Sequence, residues 1–400
     1  MLNQLHHIWQ TPVLRMLCLA VFLFGAHVST IGPYQSLVAI TVFGLSDAAY
    51  ALLLMVALAV GVGAAVGIGI LTDQRPSRWL MALLASVAMT SGALIVWLGN
   101  TPAAFVLAHA LLLPVSASLL GQIFAVARLV LAPLPAQDRD GIIAIIRSFF
   151  ALPFVTVLPL WGLALAGEVP LLRLYPALAA FGGLTLLLVL RGWPRDAAAP
   201  WVEQKSGLGF RSALAEMLAP TIVGRVMLIG AIHLGGALAG AVTGLIFAGA
   251  GHGPGAVGLF FGLFVAVEIM TSLNAFRLLA YLRRLHVIAL GTFIYAAFLI
   301  LLPVLAPGDA VWLLVLPAGI GGGFIYALAI GYLQDLMGAR AGAGASLLAL
   351  QRIASDGLAA LTFGFGTWAS GYGLVPVLGG ILMGLAVSWL MWLDRARPAS

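Results

Sequence analysis

Charge is scarce in this sequence, and so is cysteine. Of 400 residues only 8% are Asp, Glu, Lys or Arg, while 62% are hydrophobic and the mean hydropathy is +1.12. A soluble domain carries roughly 25% charged residues, so this composition excludes one and indicates an all-α integral membrane protein. The single cysteine, Cys18, excludes an intramolecular disulfide. No polar interval is long enough for a soluble domain, and the longest, about 191–217, reads as a linker with an amphipathic surface helix at most. Metal-ligand spacing, a phosphate-cradling glycine loop and a nucleophile–base pair are all missing. No cofactor, no nucleotide-driven pump and no enzyme activity follows from such a chain. The formal charge of +6 is scattered singly over loop ends, which is not the footprint of a nucleic-acid surface.

What is present is a series of long apolar runs. At roughly 20 residues per span, the chain has room for about twelve helices. The runs fall at about 13–38, 48–71, 79–98, 103–131, 141–166 and 170–190, then 219–248, 255–279, 286–305, 310–336, 341–369 and 374–393. That count is six, a linker, and six, predicting an N-terminal bundle over 1–190, a linker over 191–218 and a C-terminal bundle over 219–400. Arg15 with the following LCLAVFLFGA has the shape of a signal peptide but reads better as the first helix. Gly32–Pro33 predicts a bend in that helix. Ser46 and Asp47 are placed to cap the second, and Gly63 and Gly67 form a small-residue pair predicting close packing. Gly236, Gly240 and Gly244 repeat the pattern in the seventh. Basic residues such as Arg15, Arg78, Arg139, Arg191, Arg283 and Arg395 fall on one set of loops and termini, and the opposite loops hold essentially Arg173 alone. By the positive-inside rule both termini are cytoplasmic.

The organising stretch is 332–357, YLQDLMGARAGAGASLLALQRIASDG, with 128–150, RLVLAPLPAQDRDGIIAIIRSFF, as its partner. Each runs from a polar helix end through a short turn into a helix carrying a lone arginine. Arg147 and Arg352 read as counterparts in a duplicated chain. Charge inside a membrane span needs a reason. Arg352 and Asp356 are four apart and share a helix face, so protonating Asp356 releases Arg352 in a switch reading; in the bland reading the two are a static buried pair. Glu268 stands alone near the middle of the eighth span, either as a proton carrier or as a protonated structural hydrogen-bonder. Arg128 and Asp335 end the fourth and tenth helices, as gate partners or as plain solvated helix ends. Arg225 reads as a snorkelling boundary residue, Asn274 as packing or gate, and His27 and His109 as packing histidines. His233 sits where it can also titrate.

Residues 69–78, GILTDQRPSR, resemble the signature loop of the major facilitator superfamily between helices 2 and 3. Gly69, Leu71, Asp73 and Arg78 match; Pro76 replaces the usual glycine, and Ser77 a common basic residue. GQIFAVAR at 121–128, the Arg147 segment and GYLQDLMGARAGAGASL at 331–347 resemble the sugar efflux transporter family within that superfamily. The resemblance implies the major facilitator fold, two six-helix bundles of inverted three-helix repeats around a central cavity. It implies export of sugars or glycosides against proton entry by alternating access. It also places Asp73, and with it the matching Arg78, in a gate.

Sugar hydroxyls call for amides, hydroxyls and carboxylates, with aromatic faces under the ring. The candidates are Tyr34, Gln35, Gln122, Phe149, Trp161, Tyr326 and Gln351, with Phe324 and Trp368 behind them. The proton-coupling candidates are Glu268, Asp356, Arg352 and Arg147. The expected partners are a sugar-like or amphiphilic small molecule, protons and membrane lipids, around a monomer in a bacterial inner membrane. Two other readings stay open: a drug or amphiphile exporter of the same superfamily, and a non-transporting assembly or sensor protein.

Overall fold

Proline and small capping residues start most of the helices, and glycines let them approach. A computed structural model describes residues 2–74, 78–167, 169–195, 220–337 and 344–395. A short amphipathic helix, Leu2–Gln10, precedes twelve long ones. In the first half these are α1 (Pro12–Val42), α2 (Asp47–Gln74), α3 (Arg78–Gly99), α4 (Pro102–Leu131), α5 (Ala136–Ala166) and α6 (Leu174–Gly192). In the second they are α7 (Pro220–Gly249), α8 (Pro254–Leu278), α9 (Arg284–Leu305), α10 (Val315–Met337), α11 (Gly344–Ser370) and α12 (Leu374–Leu393). Pro12, Pro102 and Pro254 sit in first turns, where a missing N–H costs nothing. Thr101 caps α4 by accepting from the Ala104 N–H at 3.2 Å, and Ser46 caps α2 by accepting from that of Ala49 at 3.2 Å.

Eleven helices among the described residues are long and apolar enough to cross a membrane. The twelfth long helix, α11, carries Gln351, Arg352 and Asp356 in one turn and a half, which lowers its apolarity below theirs. The chain is a multi-pass, all-α membrane protein.

Four boundaries differ from expectation by four residues or more: α6 and α10, predicted from 170 and 310, begin at Leu174 and Val315 because 3-10 turns over Leu171–Arg173 and Asp309–Leu314 precede them. The helix predicted from residue 141 begins at Ala136, because Pro135 sets an extended entry and Asp138 favours the first turn. The bend at Gly32–Pro33 is present as a 3-10 turn over Gly32–Tyr34, but helix resumes and ends in a π turn at Val38–Val42, four residues beyond the predicted end.

The two halves pack in the same order. In the first, α5 lies on α1, α1 on α6, α6 on α3, α3 on α4 and α4 on α2; in the second, α11 lies on α7, α7 on α12, α12 on α9, α9 on α10 and α10 on α8. Each helix of the first half therefore matches the one six later, so α5, which carries Arg147, matches α11, which carries Arg352. The halves meet through α5 with α8 and α2 with α11, which this correspondence interchanges. Large apolar side chains such as Leu98, Leu273 and Leu385 are exposed on the outside, the surface a lipid-facing bundle needs.

The glycine expectations divide. Gly63 and Gly67 face nothing within 4 Å, so the small-residue pair predicted to pack α2 does not do so. The spacing alone cannot say which way that face points. Gly244 receives Leu37 of α1, a Cβ there lying 2.9 Å from Leu37 Cδ1, and Gly236 lies under the Tyr326 hydroxyl, but Gly240 meets nothing within 4 Å.

Candidate functional site

The interface between the halves is closed at one end. We call the two ends arginine-poor (Arg173) and arginine-rich (Arg78, Arg128, Arg277 and Arg284). Toward the arginine-poor end, α5 and α8 touch backbone to backbone. A Cβ at Gly162 would lie 2.8 Å from the Leu259 nitrogen, one at Gly255 2.6 Å from the Gly162 oxygen, and Gly262 takes the ring of Pro159. Across the molecule, Tyr50 of α2 meets Phe363 of α11 edge to face at 5.3 Å. Beyond it the Tyr372 hydroxyl, in the turn before α12, donates to Asp47 Oδ1 at 2.7 Å. Tyr372 belongs to the second half and Asp47 to the first, so this bond ties the halves together. Burial, then the Asp47 carboxylate beside it, raise the Tyr372 hydroxyl above the usual tyrosine range, so it stays a donor through neutral pH.

Removing this bond has a readable consequence. A hydrogen bond to a charged group contributes about 1.5–3 kcal/mol. Tyr372→Phe is therefore expected to shift the balance between end-closed and end-open states by about tenfold or more. The measurement is thiol labelling of a Ser36→Cys reporter in a Cys18→Ser background. Ser36 is fully buried. Unchanged labelling would show that the bond does not hold the end shut.

Farther from the closed end, the interface helices α5 and α11 carry charged groups. Arg147 is exposed and lies over the Phe124 ring of α4, 5.7 Å from its centroid. Arg352 Nε donates to Asp356 Oδ2 at 3.1 Å, with 66% and 35% of the two side chains exposed. The expected i,i+4 pair thus forms, and it stands in the open rather than in a packed core.

The second half carries a cluster of titratable side chains from five helices. Glu268 (α8) lies against Gly322 (α10), where a Cβ would sit 2.8 Å from its Oε2. Gly319 and Gly323 take Val267 and Thr271 in the same way, so α8 beds into a glycine track on α10. Tyr326, four residues beyond Gly322, meets the His233 ring (α7) edge-on at 5.2 Å and lies in the field of both Glu268 and Asp356. His233 Nδ1 lies 2.9 Å from the Ile229 carbonyl and so carries the proton, leaving Nε2 as the acceptor. The Tyr295 hydroxyl (α9) is buried behind this cluster with no partner among the described residues. The sequence does not single out Tyr295, because nothing in an apolar run distinguishes a tyrosine that faces a carboxylate from one that faces lipid.

The first-half candidates spread out. Tyr34 is fully buried at the closed end against Gly258, and Trp161 Nε1 donates to Thr30 Oγ1 at 3.1 Å close by. Gln35 and Phe149 are half-buried, as is Gln351 of the second half. Gln122 is buried and accepts from Arg78 at 3.4 Å, which ties α4 to the start of α3. His27, whose Nδ1 faces the Leu178 carbonyl at 3.3 Å, and His109, bonded to Tyr175 at 2.9 Å and stacked on Phe105, are packing residues. Phe324 turns away from the cluster onto Gly291 of α9, and Trp368 is 82% exposed on the outside.

At the arginine-rich end, Asp335 pairs with Arg284 of α9, inside its own half, and Arg128 is exposed. The Asp73 side chain, loop residues 75–77, the Gln334 side chain, Arg340 and linker residues 196–219 lie outside the described residues. Arg225 is not a snorkelling residue. Its Nε donates to Asp394 Oδ1 at 2.7 Å, with only 13% and 11% of the side chains exposed, and Tyr332 donates to the other oxygen at 2.7 Å. Removing one member strands the other: Asp394→Ala is expected to lower stability by about 3 kcal/mol, read by thermal unfolding in detergent. A loss below about 1 kcal/mol would make the pair a solvated one.

The sequence matches no family model and no curated protein sequence. Solved structures do match. The nucleoside transporter NupG superposes with a TM-score of 0.72 at 16% identity, covering 96% of this chain and 99% of that one. A D-xylose–proton symporter gives 0.72 at 14%, covering 96% and 97%. A bacterial homolog of the human lysosomal transporter Spinster, inward-facing and unoccupied, gives 0.68 at 15%, covering 95% and 94%. The chain has the major facilitator fold. Here Arg147 stands on α5 of the first bundle and the Arg352–Asp356 pair on α11 of the second, with Glu268, Tyr326 and His233 grouped in the second bundle.

Proposed function

We propose that this protein is a secondary-active transporter that moves a sugar or glycoside out of the cell against proton entry. One observation carries the reading: titratable side chains from five helices gather in the second of two matched bundles, and those bundles meet through a glycine-packed contact and the Tyr372–Asp47 bond toward the arginine-poor end. A static scaffold has no use for such groups, which cost free energy in a membrane. The bundles, 1–190 and 219–400, rock about the interface while the 191–218 linker spans them. The arginine-rich end faces the cytoplasm of a bacterial inner membrane, both termini lie there, and the chain acts as a monomer.

Protons load Glu268 or Asp356. With Asp356 ionised, Arg352 is held, as in this conformation; protonation frees Arg352 for substrate or for the other conformation. Either ligand shifts the balance only through its differential affinity for the two states. Gln35, Gln122, Gln351 and Tyr326 supply hydrogen bonds to hydroxyls, and Phe149 and Trp161 supply ring faces. Asp73, Arg78, Arg128 and Asp335 act in closing the arginine-rich end. The likeness in fold to a named sugar–proton symporter supports this substrate class.

The test is flux in proteoliposomes with an imposed pH gradient, offering labelled disaccharides and glycosides, then a cationic dye. Gradient-dependent sugar movement supports the proposal. Dye movement without sugar movement transfers it to an amphiphile exporter, and no movement of either favours the non-transporting reading.

A further inference from the structure

Between α8 and α10 lies an open groove of about 540 Å³, within the size range of small-molecule pockets. Val267, Met270, Ile320 and Phe324 form its apolar walls, and Thr271, Asn274 and Arg277 run along one edge. Glu268 itself is not among its lining residues. Met270 and the neighbouring Leu273 are 68% and 74% exposed. Phe324 is seated on Gly291, which makes that wall rigid.

The polar edge is the feature that calls for a ligand. Thr271, Asn274 and Arg277 are three residues apart in turn, so they share a face. Asn274 Nδ2 donates to the Met270 carbonyl at 2.8 Å, leaving its Oδ1 and second N–H turned outward. Arg277 stands in the last turn of α8, exposed, with no ion pair among the described residues. The Arg284 guanidinium lies over Gly331, where a Cβ would be 3.0 Å from its Cζ. Gly331 is seven residues from Phe324 and on the same face of α10, so Arg284 flanks the same mouth. Its partner Asp335 adds the one carboxylate there. Two cations and one anion leave the mouth positive.

Length identifies the occupant. Val267 to Arg277 spans ten residues, about 15 Å of helix, and one leaflet of a bilayer core of about 30 Å is the same depth. We propose that the groove holds one anionic glycerophospholipid. Its phosphate sits on Arg277 beside Arg284, its ester region lies at Asn274 and Thr271, and an acyl chain lies along Met270, Val267, Ile320 and Phe324. The charge of the headgroup makes the site selective, since apolar walls accept any chain.

The experiment compares dioleoyl phosphatidylglycerol with dioleoyl phosphatidylcholine on the full chain in detergent, by thermal unfolding and by native mass spectrometry. The parent is expected to retain one phosphatidylglycerol per chain and to unfold at a higher temperature with it than with phosphatidylcholine. Arg277→Gln is expected to bind it about tenfold more weakly, and Arg277→Lys to recover part of the preference. Met270→Trp, which fills the groove without touching the charge, is expected to lower retention of both lipids, and keeps the test decisive should Arg277→Gln fail to fold. Equal preference in Arg277→Gln would overturn the proposal. So would equal stabilisation by inorganic phosphate alone, or a delipidated dimer that closes the groove with a second copy.

Discussion

Glu268→Gln abolishes uphill, gradient-driven movement of the solute while downhill exchange continues. The amide keeps the size and a hydrogen-bond donor of a protonated carboxyl, so the fit against Gly322 survives. It cannot lose the proton, so the variant stays in the loaded form and flux no longer responds to pH. A group acting as the obligatory proton carrier is expected to cost about a hundredfold or more in coupled flux, within the 10²–10⁴ that a positioned proton-transfer group contributes in enzymes. Asp356→Asn separates the two candidates, because it releases Arg352 permanently without altering Glu268. The measurement is solute flux in proteoliposomes with and without a pH gradient. If Glu268→Gln still concentrates solute and Asp356→Asn does not, the coupling group is Asp356. If both still concentrate it, neither carries the proton.

Gly258→Leu opens the closed end. Gly258 backs onto Gly162, whose Cα and backbone nitrogen lie 2.8 and 2.9 Å from where a Cβ would go, and the Tyr34 hydroxyl is closer still. Contacts that short have no room for a side chain, and backbone atoms cannot rotate away as a side chain does. The substitution therefore drives α5 and α8 apart at the arginine-poor end. Overpacking costs about 1–3 kcal/mol, which shifts the population of the end-closed state by about five- to a hundredfold. Labelling at Ser36→Cys should rise accordingly, and flux should fall because one of the two alternating states is lost. A variant that labels as slowly as the parent and transports normally would show that the α5–α8 contact tolerates separation and is not the seal. Gly63→Leu, at a glycine facing nothing within 4 Å, is the control and should change neither.

Much of the architecture is carried by the chain locally. Apolar runs of about twenty residues, broken by Asn100–Thr101–Pro102 or Gly251–Gly255, determine where helices start and stop, because burial and backbone hydrogen bonding within lipid are decided span by span. The six-plus-six count, the Gly32–Pro33 bend, the i,i+4 pair of Arg352 with Asp356 and the correspondence of the Arg147 helix with the Arg352 helix all follow from order and spacing along the sequence. Other features depend on distance in space. Asp47 and Tyr372 are 325 positions apart, and Arg225 and Asp394 are 169 apart. No local period relates such residues, so Asp47 reads as a helix cap and Arg225 as a boundary arginine until the bundle closes. The same holds for direction around a helix axis. Gly63–Gly67 and Gly319–Gly323 are identical patterns, yet only the second meets a neighbour, and Phe324 and Tyr326 point to opposite sides of α10. Composition and periodicity by themselves determined the membrane class, the spans and their duplicated order. Tertiary structure alone decided where the halves are latched, which side chains gather around Glu268 and which face of α8 is left exposed, because rotation about a helix axis in an almost uniformly apolar helix is set by its neighbours and not by its own residues.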